Sequence, residues 1–148
     1  MIQGHVVVAG ATEGDILLSR QPISFWGGVD PATGLIIDRR HDRCGESVSG
    51  RVFAFPEEKG SSTASAVLVE LIHNGHAPAA ILTCRAAPIV ALGAIVAEQL
   101  YGTTIPMLKV SAEDFDQLPT QGHVRISAGG VVTIGEGELE NSARQTPP

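Results

Sequence analysis

The chain is 148 residues long, carries a formal net charge of −6, and is 43% hydrophobic but only 18% charged. That composition suits one compact domain and excludes a disordered chain. An acidic surface without a basic stripe matches a phosphate backbone poorly, so no nucleic acid partner is expected. The longest apolar run, 86–97, is interrupted by Pro88 and Gly93 and is too short to span a bilayer, so no membrane partner is expected either. Residues 1–5 lack the basic and apolar stretches of a secretion signal. Cys44 and Cys84 show neither a disulfide framework nor zinc spacing, so a reduced, cytoplasmic protein is expected.

In chain order, residues 3–9 form a β-branched run that predicts a strand. Glu13-Gly14-Asp15 predicts a turn, with apolar character resuming over 16–18. Residues 20–34, rich in glycine and proline, predict irregular backbone. Short strands are predicted at 35–38 and, from alternation stopped by Pro56, at 47–55. The second half alternates. A helix over 62–74 closes at Asn74-Gly75, a strand follows at 79–82, and a helix over 88–100 has proline in its first turn and Gly102 past its end. A strand at 107–110 precedes a short helix capped by Ser111, and 123–127 with 131–134 reads as a hairpin. The pattern predicts a single α/β domain over 1–134 with an extra β layer, and a polar, disordered tail over 135–148.

Two loops stand out. Residues 56–65 (PEEKGSSTAS) run from a predicted strand into a predicted helix. The first N–H groups of a helix lack internal partners and carry the positive end of its dipole. Glycine there admits close backbone approach, and hydroxyls can hold a carboxylate or phosphate. A serine oxygen that develops negative charge is least disfavoured at such a point. Simple capping by Ser61 or Ser62 explains the same residues. The second loop, 22–31 (PISFWGGVDP), sets the only tryptophan beside a phenylalanine. Loops of this length are often functional. One aromatic can anchor the loop while the other lines a surface. A core plug with turn glycines competes with a partner interface.

Other constellations are weak. His73 with His76, and His41 with Cys44, are each three apart, but no third ligand is spaced to join them, so no metal is expected on this chain. The acidic residues Asp15, Asp30, Asp38, Asp42, Glu46, Glu70 and Glu98 show no diagnostic pairing. No phosphate-loop lysine, dinucleotide fingerprint or nucleophile-elbow motif is present.

Three stretches, PISFWGGVDPATGLIID, GSSTASAVLVELIHNGHAPAAIL and PIVALGAIVAEQLYGTTIPML, together resemble the small subunit, or swivel domain, of the aconitase X family, over roughly residues 4–134. The resemblance implies a swivelling β/β/α domain, one part of a two-part hydro-lyase. It implies no cofactor held by this chain alone, and a large partner subunit carrying an iron or iron–sulfur centre. The implied reaction is dehydration of a small hydroxy acid, cis-3-hydroxy-L-proline in bacterial members and mevalonate 5-phosphate in archaeal ones. Carried over by residue, Ser62 is the catalytic base, and Gly60 and Ser61 supply backbone and hydroxyl contacts to substrate, with the adjacent Lys59 and Thr63 as further substrate-binding candidates. Phe25, Trp26, Gly27, Gly28 and Asp30 form the partner or cleft loop. Aconitase has an arginine after its two serines, where this chain has Thr63, so the substrate carboxylate needs another holder, for which Arg85 is a candidate. Without the resemblance, a non-catalytic anion-binding module and a homodimerising structural domain account for the same residues.

Overall fold

The computed structural model describes residues 1–60 and 62–135. Its strands are β1 (Ile2–Gln3), β2 (His5–Val8), β3 (Thr12–Leu18), β4 (Val52–Ala54), β5 (Ala80–Thr83), β6 (Met107–Lys109), β7 (His123–Ile126) and β8 (Val131–Ile134). Element α1 (Phe25–Gly28) is only a four-residue turn whose Trp26 and Gly27 are not helical, and the helices are α2 (Thr63–His73), α3 (Pro88–Tyr101) and α4 (Ala112–Asp116).

The strand order is β1-β8-β7-β3-β4-β5-β6-β2. Its two end strands are consecutive stretches of one chain, separated by Gly4. One half is antiparallel (β1, β8, β7 and the start of β3) and the other is parallel (the end of β3, β4, β5 and β6), with β2 antiparallel on β6. Strand β3 belongs to both. Thr12 to Asp15 pair with β7, and Ile16 to Leu18 pair with β4.

Why the parallel strands sit in the middle follows from their side chains. Alternate residues face opposite sides of a strand. Leu17, Phe53, Ile81 and Met107 enter one core together with α2 and α3. Their neighbours Ile16, Leu18, Val52, Ala54, Ala80, Leu82 and Leu108 enter a second core with β1, β7, β8 and Phe115. A sheet apolar on both faces must be covered on both. The result is helices, parallel sheet and antiparallel sheet in three layers, the expected β/β/α domain.

The helices, the 107–109 strand, the hairpin and the Ser111 cap stand close to where the sequence places them, with Asp114 N–H donating to Ser111 Oγ at 3.1 Å. Four readings of the first half need correction. The strand predicted over 3–9 is broken at Gly4, where a Cβ would lie 3.1 Å from Leu108 Cβ. Glu13-Gly14-Asp15 is not a turn but the interior of β3. Gly14 is there because a Cβ would meet Gly50 O at 2.7 Å. Residues 35–38 make only isolated bridges, Val29 with Ile36 and Leu35 with Ser47. Residues 47–55 hold just the three-residue β4, since Gly50 turns the chain at φ +69°. The tail, apart from residue 135, lies outside the described residues.

Helix α2 packs on α3 through Gly93, where a Cβ would stand 2.7 Å from Ser65 O and 3.2 Å from Leu68 Cβ. Alanine is favoured over glycine in a helix by about 1 kcal/mol. Overpacking against rigid backbone opposes that with roughly 1–3 kcal/mol. Gly93→Ala is therefore expected to lose about 1 kcal/mol net, read as a lower urea midpoint at unchanged slope.

Candidate functional site

The loops after β3, β4 and β5 all leave the carboxyl ends of parallel strands, the edge where open α/β sheets gather ligands. Two of them are the loops singled out above, and the fold brings them together. Ile23 N–H donates to Glu57 O at 3.3 Å, and Lys59 N–H donates to Ile23 O at 3.0 Å. Gly60 follows at φ +103°, a conformation that favours glycine, and a Cβ there would collide with Ser24 Oγ. Ser24 in turn donates to Trp26 O at 2.9 Å.

Within the 22–31 loop the two aromatics part company. Phe25 is fully buried, its ring centroid 6.1 Å from that of Phe53 and 6.0 Å from that of Phe55. It is the aromatic that anchors the loop in the core. Gly28 is buried too, against Ile23. Trp26 is 60% exposed. Between them the backbone reverses at Gly27, φ +78°, where the space around a Cβ is open. Asp30 shapes the loop. Its carboxylate accepts from Ala32 N–H at 3.0 Å, and its carbonyl accepts from Gly34 N–H at 2.7 Å.

At the helix start, Ser62 is exposed and already helical in backbone (φ −59°, ψ −19°), and its side chain makes no capping bond. Its carbonyl accepts from Ser65 N–H and Oγ–H. Capping therefore does not account for the Ser62 hydroxyl. Thr63 and Lys59 are exposed beside it in sequence. Ser61 lies outside the described residues. Arg85 shares this sheet edge, since its N–H and that of Cys84 both donate to Pro56 O, but its guanidinium leans toward Glu57 at 3.7 Å.

One residue of this corner escaped the sequence reading. The Glu58 carboxylate accepts from Ile89 N–H at 3.0 Å and from Val90 N–H at 2.9 Å, closing the N-terminus of α3 from 31 residues away. Charged capping of this kind is the strong form of the bond. The start of α3 is therefore filled by the protein's own carboxylate, while the start of α2 holds the exposed Ser62.

A second polar cluster looks chemical but is not arranged for chemistry. Ser19 Oγ lies 3.0 Å from His41 Nε2 and 2.7 Å from Asp42 Oδ1, all three at a loop junction. His41 Nδ1 accepts from Arg43 N–H, so Nε2 carries the proton and donates to Ser19. The Ser19 hydroxyl donates to Asp42 Oδ1, with Gln21 O as a second acceptor at 2.9 Å. A histidine that donates to a serine cannot be its base, and Ser19 is fully buried. Among the described residues, no three His, Cys, Asp or Glu side chains converge on a metal-sized space. Burial pushes the Cys84 thiol up, with nearby Arg85 opposing.

The aconitase X swivel domain family matches residues 1–134. A crystal structure of Thermococcus kodakaraensis aconitase X in its holo-form superposes with a TM-score of 0.82 at 41% identity, covering 91% of this chain and 98% of that one. A phosphomevalonate dehydratase small subunit from Thermococcus gammatolerans is 43% identical over 94% of this chain and 95% of its own length. A cis-3-hydroxy-L-proline dehydratase from Pseudomonas aeruginosa is 44% identical over 87% of this chain, but the match is only 22% of that protein's length. A Hypocrea jecorina enzyme of the same name is similarly matched over 24% of its length. No helix among the described residues is long and apolar enough to cross a membrane.

Two outcomes test this geometry. Glu58→Ala is expected to lower unfolding stability by about 1–2 kcal/mol, as removal of a good helix cap does, seen in urea melts. At pH 8, a thiol reagent is expected to label the exposed Cys44 well before the half-buried Cys84, since only the thiolate reacts, as followed by mass spectrometry.

Proposed function

The chain belongs to the aconitase X swivel domain family, and from that premise we propose that it is the small part of a two-part hydro-lyase that removes water from a small hydroxy acid. The observation that carries this reading is the exposed, uncapped Ser62 at the start of α2, held beside the Trp26 loop. Named relatives along nearly the whole chain are dehydratases or their small subunits, which agrees with it.

On this reading Ser62 takes the proton next to the substrate carboxylate. A hydroxyl is a weak base at neutral pH, so it needs help in the transition state. The dipole of α2 and its first N–H groups favour negative charge on the Ser62 oxygen. Gly60 lets substrate approach the backbone. Ser61, Thr63 and Lys59 supply hydroxyl, N–H and cationic contacts to the anionic group. Trp26 with Gly27 and Asp30 forms the preset lip that sheds water when the site shuts against the partner, which strengthens each of these interactions.

A large partner completes the site. The iron or iron–sulfur centre is assigned to that partner, and would supply Lewis-acid help to the departing hydroxyl. No step on this chain runs through it. We take cis-3-hydroxy-L-proline as the substrate, on the 44% identity to the Pseudomonas enzyme. The second reading is mevalonate 5-phosphate, favoured by small-subunit relatives at 39% and 43% identity. A cytoplasmic setting fits either.

The test is reconstitution with the large subunit of the same organism, assayed on both hydroxy acids. Turnover is expected from the pair and not from this chain alone. Ser62→Ala is expected to reduce turnover by roughly 10²–10⁴-fold, the usual worth of a positioned base, with the complex intact. Wild-type turnover in that variant would refute the role given to Ser62.

A further inference from the structure

Helix α3 poses a problem that the Ser62 corner does not solve. Its fourteen residues carry a single charge, Glu98. Val90, Gly93, Ala94 and Ala97 form its buried side. The other side carries Leu92, Ile95, Val96, Leu100 and Tyr101, each between 36% and 63% exposed. The spacing 92, 95, 96, 100 is one continuous strip on a helix. A helix apolar all round is normally one that is covered all round. Its neighbour α2 shows the contrast, turning Thr63, Ala66, Glu70 and His73 outward. Beside the strip, a groove of about 540 Å³ runs between α3 and β2, walled by Val7, Pro88, Ala91, Leu92 and Ile95 with the cationic Lys109.

We propose that this face, the α3 strip with the α3–β2 groove, is the docking surface for the large dehydratase subunit. The proposal rests on the reading of the chain as one part of a two-part enzyme. Three observations select that occupant. The first is size in the relatives: the matched region is 22% of the Pseudomonas enzyme, so nearly four-fifths of that protein lies outside this fold. The second is extent. From Leu92 to Tyr101 the strip runs about 14 Å at 1.5 Å per residue, whereas a stable pair of copies needs roughly 800 Å² on each side. A narrow strip meeting its own copy falls short, but a larger body can cover strip and groove at once. The third is place. The N-terminus of α3 is bonded to Glu58, two residues before Gly60. A partner seated along α3 therefore meets the corner that leads into α2 and Ser62.

The experiment co-expresses the full chain with the large subunit of the same organism and measures their affinity by titration, independently of turnover. Leu92→Glu with Ile95→Glu alters two side chains about half exposed, so the isolated variant is expected to melt like the wild type. Its affinity for the large subunit is expected to fall roughly 30-fold or more, as for a central apolar contact. Leu100→Arg, a single change at the far end of the strip, guards against misfolding of the double variant and is expected to weaken binding in the same direction. Ser62→Ala is expected to bind as the wild type does. If wild-type chain binds and the glutamate variant does not, the surface is supported even where the pair dehydrates neither acid, an outcome that overturns only the activity reading. Wild-type affinity in both strip variants overturns the surface and leaves the role of Ser62 standing. Failure of the wild-type chain to bind the large subunit, or a homodimer of the isolated chain that the glutamate variant splits, also overturns it.

Discussion

A three-residue backbone junction holds the corner together. Glu57 and Lys59 bond through their main chains to Ile23, while Glu58 between them sends its carboxylate the other way, to the first turn of α3. Alternate residues of an extended segment face opposite sides, so one short stretch ties two neighbours at once. Without it, the link from β4 to α2 would be an ordinary surface loop. With it, Gly60 is pressed against Ser24 so closely that no side chain fits, and the start of α2 is fixed relative to the Trp26 loop. The junction is itself anchored below by Phe25, Phe53 and Phe55, three of the four phenylalanines, packed ring against ring.

The second half of the fold was legible because its signals are local. Pro88 and Gly102 bracket α3, Gly75 ends α2 at φ +77°, and Ser111 caps α4. The first half was not, because its glycines answer to distant neighbours. Gly14 reads as a turn until Gly50 is seen to press on it across the sheet, and Gly4 reads as part of a strand until Leu108 is seen beneath it. The alternation over 47–55 was real but misleading. Both faces of β4 are apolar, so it marked two cores rather than one buried and one wet side. The candidate site divides in the same way. Gly60, Ser62 and Trp26 announced themselves by residue type. Glu58 did not, since a glutamate in a charged loop carries no sign of the helix it caps 31 residues later.

The arrangement also bears on why the proposed chemistry calls for a partner. An exposed serine at a helix start is common, and water screens the dipole that favours its negative form. The same group becomes a stronger base in the transition state only where water is displaced and the N–H groups face the reacting atoms in a low dielectric. Nothing among the described residues encloses Ser62. Trp26 is exposed, Thr63 is exposed, and the capping carboxylate of this corner is committed to α3. What the fold supplies instead is rigidity beneath the corner. The two-sided parallel sheet presents Ser62 and the Trp26 loop as one unit, so a body arriving from outside meets a preset surface rather than a floppy loop. Preset geometry lowers the ordering entropy lost on closure. On the proposed function, a domain that closes onto a partner needs that rigidity and a water-shedding lip more than it needs a deep pocket.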